Sequence, residues 1–190
     1  MRRCLLGIAT LLLLTVAAFV RSQPVWAGDI YYRRDEHGVM HFTDNPQGQD
    51  YQRFFSRDQD QAGQEKILVW VRKYSRFYGL EPELVQAVLE VESGYQARAV
   101  SRAGAQGLMQ IMPGTQRDLG LETVFDPEAN IEAGVRYLSQ LWKKFPPKEA
   151  LAAYNAGPSR VRDYQGIPPF PETQEFVQRV LEIYSSLKKQ

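Results

Sequence analysis

Cysteine is nearly absent from this chain: Cys4 is the only one in 190 residues. A single cysteine forms no intrachain disulfide, so packing must carry the fold. Histidine is scarce as well. His37 and His41 are the only two, they flank a turn, and no cysteine or clear third ligand accompanies them. No metal centre is therefore expected, and no residue cluster suggests an organic cofactor. Neither sign of charge prevails, with 23 Lys and Arg against 22 Asp and Glu. Such a balance argues against nucleic-acid binding and against strong attraction to anionic surfaces. No internal repeat or low-complexity tract is visible, and only one long apolar run exists.

That run is Leu5 to Val20, 16 residues without a charge, short of the ~20 that a membrane-spanning helix needs. Arg2 and Arg3 precede it, and Val25-Trp26-Ala27 forms a small-residue cleavage site before Gly28. Residues 1–27 therefore read as a cleaved secretory signal peptide, which places the mature protein in the periplasm or cell envelope. The competing reading is an uncleaved anchor and a membrane-associated protein. Cys4 lies ahead of the apolar run, whereas a lipid-bearing cysteine would follow it. Cleavage would remove Arg2, Arg3 and Arg21 and no acid, leaving 163 residues with a formal charge near −2. That length suffices for one domain with its own core.

Residues 28–46 read as a β-hairpin module. Ile30 to Arg34 and Val39 to Thr43 alternate and are rich in β-formers, with Asp35-Glu36-His37-Gly38 between them. Residues 47–64 are polar and read as a linker, with a weak extended patch at Tyr51 to Phe55. Residues 65–190 carry helical periodicity throughout, which makes the chain mostly α with a small N-terminal β-hairpin. Gly107 is expected to open a short helix that Pro113-Gly114 breaks, and Asp126-Pro127-Glu128 has the form of a helix start.

One helix breaks the binary pattern. Pro82 suits a first helical position and Gly94 the residue past the end. Leu84, Val85, Val88 and Leu89 fall on one apolar stripe at the helical period. Glu92 lands near the middle of that stripe, four residues after Val88 and three after Leu89. An acid there costs several kcal/mol unless paired or neutral. Burial and the negative end of the helix dipole both favour its protonated form. A carboxyl held protonated near neutral pH is what a general acid requires. The alternative is a frayed helix end from which Glu92 reaches water or a basic partner.

Downstream residues bear on that choice. Glu92-Ser93-Gly94-Tyr95, Ser101, Gly104-Ala105-Gln106-Gly107-Leu108-Met109-Gln110-Ile111-Met112-Pro113-Gly114-Thr115 and Ala153-Tyr154-Asn155-Ala156-Gly157 occur in this order. The series resembles the signature of the soluble lytic transglycosylases, the SLT domain, from about Glu65 onward. The resemblance implies a lysozyme-like fold for residues 65–190 and an enzyme acting on peptidoglycan glycan strands. It makes Glu92 the catalytic acid and then base. The bond cleaved would be the β-1,4 link between N-acetylmuramic acid and N-acetylglucosamine, leaving a 1,6-anhydromuramoyl end.

Ser93, Gly107, Met109, Gln110, Tyr154 and Asn155 become expected substrate-binding residues. Gly107 is expected to let the backbone approach the sugar chain closely, and rival structural readings stand beside three of the others: a helix-end hydroxyl for Ser93, core packing for Met109 and a left-handed helix terminus for Asn155. Glycoside cleavage usually employs two carboxylates, yet no second acid occupies a convincing motif position. Glu90 points away from Glu92, and Glu122, Asp126 and Glu128 belong to a turn and a cap. A single acid is what the resemblance implies. Phe176 stands where the family's last motif usually has tyrosine, so one expected hydroxyl is missing. The enzymatic alternative is a goose-type lysozyme, which uses water as acceptor; the other is a non-catalytic wall-binding or scaffold protein. The hairpin is a possible docking element for an envelope or secretion-complex protein.

Overall fold

The computed structural model describes residues 29–48, 50–55 and 57–189. The expected signal peptide, residues 1–27, lies outside the described residues. The chain divides into two compact units, one ending at Ser56 and one beginning at Arg57. No helix among the described residues is long and apolar enough to cross a membrane.

The first unit is a three-stranded antiparallel sheet, not a hairpin alone. Strands β1 (Ile30–Arg34), β2 (Met40–Thr43) and β3 (Gln52–Phe55) are ordered β2-β1-β3. Asp35 closes the β1–β2 turn: its carboxylate accepts from the backbone N–H of His37 and Val39 and pairs with His41 Nε2 at 2.7 Å. The bond from His41 is the largest cause holding the Asp35 carboxyl below its ordinary range. β3 falls inside the stretch read as a linker, with Tyr31 opposite Arg53 and Tyr32 opposite Gln52. A two-stranded ribbon is marginal in water, and the extended patch at 51–55 supplies the third strand. The Arg33 guanidinium lies over the Tyr51 ring and its Nε donates to the Tyr51 hydroxyl.

The second unit holds seven helices among the described residues: α1 (Arg57–Tyr78), α2 (Pro82–Ser93), α3 (Pro113–Leu119), α4 (Pro127–Trp142), α5 (Pro147–Ala156), α6 (Pro158–Asp163) and α7 (Pro171–Leu187). α1 also begins inside the expected linker. Residues 57–64 are polar but contain no proline, and a single Gly63 costs a helix only about 1 kcal/mol. Every helix from α2 to α7 starts on a proline, whose fixed φ and missing N–H suit that position. This corrects the reading of Pro113 as a breaker: it starts α3, and the residues before it form turns.

α2 packs between α1 and α7, while α4 and α5 complete the core beside them. Its stripe Leu84, Val85, Val88 and Leu89 is buried, together with Leu108, Met109, Ile131, Leu138, Leu151 and Val180. α4 accepts Met109 closely at Gly134, where an added Cβ would sit 2.5 Å from the Met109 Cβ. Gly134→Ala is therefore expected to lower stability by about 1–3 kcal/mol through overpacking, despite alanine's better helix propensity. Urea unfolding decides this; a stabilised variant would contradict the close approach.

Candidate active site

The last turn of α2 carries Glu92, and Gly94 ends the helix in the left-handed region (φ 54°) with its N–H on the Glu90 carbonyl. Glu92 lies at a cleft of about 780 Å³ lined by, among others, Gln110, Tyr154, Asn155, Glu172 and Phe176. Burial is the main cause that pushes the Glu92 carboxyl up to about 8, and the charge of Glu172 adds in the same direction. The acid on the apolar stripe is therefore protonated at neutral pH, and the frayed-end alternative does not describe it.

The loop from Tyr95 to Met112 forms the wall beside it. Gln106 bridges to both Val100 and Ile111 in short antiparallel pairs. Ser101 Oγ accepts from the Ala105 N–H at 3.0 Å. Gln110 adopts a positive φ of 46°. Its side-chain amide donates to the carbonyls of Ala99 (3.1 Å) and Gly107 (2.7 Å), so both Nε2 hydrogens are used within the loop. The Met109 peptide is clamped from two sides. Its N–H donates to Asn130 Oδ1 at 2.8 Å, and its carbonyl accepts from the Tyr154 hydroxyl at 2.8 Å. Burial first, then Glu92 and Tyr137, push the Tyr154 phenol up, so it remains a donor.

Of the seven residues expected in the site, Glu92, Gln110, Tyr154 and Asn155 line the cleft. The other three are placed differently. Ser93 is buried and donates to the Leu89 carbonyl at 3.3 Å, as a helix-end hydroxyl does. Met109 is buried in the core. Gly107, with φ 79°, allows close approach to Asn130, since a Cβ there would sit 2.2 Å from Asn130 Nδ2. Asn155 is helical, and its Oδ1 accepts from Thr173 Oγ1 at 2.7 Å, tying α5 to α7.

Two residues that shape the cleft are absent from the expected set. Asn130, buried on α4, accepts from Met109 and donates to the carbonyls of Gln106 (3.2 Å) and Val124 (2.9 Å), satisfying three loop groups at once. It sits beside Ile131 on an apolar helical stripe, the same signal that marks Glu92. Glu172 is the second cleft carboxylate whose charge reaches Glu92; it stands one residue after Pro171, at the start of α7.

The family model described as "Transglycosylase SLT domain" matches residues 70–177. The chain belongs to that SLT-domain family. Its SLT region is 34% identical over 134 residues to the soluble lytic murein transglycosylase of Salmonella typhimurium, covering 57% of this chain and 21% of that one. It is 37% identical over 105 residues to the membrane-bound lytic murein transglycosylase F of Desulfosudis oleivorans, covering 51% and 23%. Among solved structures, an inactive mutant of lytic transglycosylase Slt from Pseudomonas aeruginosa superimposes with a TM-score of 0.56 at 33% identity, covering 61% of this chain and 23% of that one. The SLT unit here thus has the lysozyme-like helical fold of these neighbours. This chain spans about a fifth of the length of the relatives it matches.

Proposed function

We propose that this protein is a peptidoglycan lytic transglycosylase that cleaves between N-acetylmuramic acid and N-acetylglucosamine. The observation that carries the reading is the placement of Glu92 in a cleft built from the SLT signature loop, where burial pushes its carboxyl up to about 8. Glu92 donates its proton to the glycosidic oxygen while the muramoyl acetamido oxygen closes on the anomeric carbon. The N-acetylglucosamine leaves as an alcohol. The Glu92 carboxylate then takes the proton of the C6 hydroxyl of the same sugar. That oxygen displaces the acetamido group, giving the 1,6-anhydro ring and restoring the acid. No water is consumed, and holding the C6 hydroxyl in place gives it a large effective concentration over solvent. A group that acts first as acid and then as base works best with a pKa near the working pH.

Gln110, Tyr154 and Asn155 are assigned to glycan binding, and Ser93, Gly107 and Met109 to shaping the wall that presents them. Phe176 leaves its part of the cleft without a hydroxyl. The reading places the protein in the periplasm or cell envelope, where its substrate lies. The sheet unit is assigned to docking an envelope or secretion-complex protein; Met40 and Phe42 on the edge strand β2 are exposed.

Mass spectrometry of soluble products from purified sacculi tests the activity. Anhydromuramoyl ends are expected. Reducing-end products one water heavier would make the protein a lysozyme, and wall binding without products would leave a scaffold.

A further inference from the structure

On the face that α7 turns to the cleft, Glu172, Glu175, Phe176 and Arg179 form one stripe at i, i+3, i+4 and i+7, with Thr173 beside it. Arg179 is the only cationic side chain among the described residues that line the cleft. It is exposed, and it forms no ion pair among the described residues, although Glu175 stands one turn before it. The cleft's other ionisable side chains are the carboxyls of Glu92, Glu172 and Glu175 and the phenols of Tyr137 and Tyr154, none of them a cation, so a negatively charged ligand group meets a positively charged partner there only at Arg179. From Glu172, the acid whose charge reaches Glu92, to Arg179 is seven residues, about 10 Å along the helix axis. That is the reach of a substituent on the sugar held at Glu92, not of the sugar ring itself.

We propose that Arg179 is a specificity-determining residue that binds a carboxylate of the peptide stem on the muramic acid, so that the cleft selects glycan strands bearing acidic stems. A guanidinium presents a planar fork that takes a carboxylate through two parallel hydrogen bonds, a geometry that a lysine or glutamine cannot reproduce. With no ion-pair partner among the described residues, the fork is available to a ligand. The carboxylates of Glu172 and Glu175 on the same stripe repel an acidic stem from the rest of the helix, which fixes the direction in which the stem leaves the cleft. The inference rests on reading the cleft as a peptidoglycan site, and its test is separable from the test of catalysis.

Calorimetry is run on the full chain carrying Glu92→Gln, so that no turnover occurs, with and without Arg179→Gln. The two probes are a soluble muramoyl tetrasaccharide with acidic peptide stems and the same fragment with its stem carboxylates converted to amides. The acidic fragment is expected to bind about tenfold more tightly than the amidated one, and Arg179→Gln to remove that difference by weakening the acidic fragment alone. Equal weakening of both fragments, or an intact preference in the variant, overturns the proposal. Absence of binding by either fragment overturns it together with the peptidoglycan reading. A preference that follows Arg179 in a protein whose wild type yields no anhydromuramoyl products keeps the proposal and removes only the catalytic assignment.

Discussion

Glu92→Gln is expected to abolish product release from sacculi and, at pH 8, to raise the melting temperature. The first effect follows from removal of the only proton donor assigned to the glycosidic oxygen. General acid catalysis by a positioned side chain contributes about 10²- to 10⁴-fold, and here the same group also serves as the base. The second effect follows from linkage. The carboxyl has an ordinary value of 4.5 and is pushed up to about 8 in the fold. Between those values the unfolded chain has released the proton and the folded chain still holds it. The unfolded state then binds fewer protons, so stability falls as pH rises from about 4.5 to about 8 and levels off above. Glutamine carries no such penalty. The variant's advantage is expected to grow from pH 5 to pH 8 and to vanish below about pH 4. For a chain of this size each kcal/mol appears as roughly 2–4 °C in Tm. A variant that retained product release, or whose advantage was flat with pH, would contradict the assignment.

Asn130→Ala is the second large effect, expected to cost about 3 kcal/mol or more. One side chain satisfies the Met109 N–H and the carbonyls of Gln106 and Val124. Truncation leaves three backbone groups without that partner, and each unsatisfied buried group costs about 1–3 kcal/mol. Relaxation and entering water recover part of the sum. The loss reaches the cleft through the loop, because the same Met109 peptide is the anchor of Tyr154 and the neighbour of Gln110. Turnover is therefore expected to fall at temperatures where the variant remains folded, while Glu92 itself is untouched. Chemical denaturation and sacculus digestion at low temperature measure the two parts. A stability loss below 1 kcal/mol would contradict the clamp.

The helix that carries Glu92 was legible because one acid interrupts an otherwise apolar stripe between a starting proline and a terminal glycine. The same signal was present at Asn130, next to Ile131 on α4, but a buried amide carries no chemistry of its own and only its three loop partners give it meaning. Proline at the first helical position was legible at Pro82 and Pro127. Applied equally to Pro113 it gives α3, which a reading of that proline as a breaker loses. The stretch 47–64 looked like a linker because its residues are polar. Strand β3 depends on a partner strand far away in sequence, and the start of α1 is helical without an apolar stripe. Ser93, Gly107 and Met109 belong to the signature series, yet the structure uses them inside the wall of the cleft. Spacing alone does not tell a residue that touches the cleft from one that holds the residue that does. Glu172 escaped notice because its link to Glu92 is purely spatial, across α7 and α2.

The protonation of Glu92 is measured most directly by ¹³C NMR titration of its side-chain carboxyl, assigned by the resonance that disappears in Glu92→Gln. A midpoint near pH 8 is predicted, with a downward displacement in Glu172→Gln, where the neighbouring charge is gone. A midpoint in the ordinary range near 4.5 would mean an ionised Glu92 at neutral pH, and with it no general acid in this cleft.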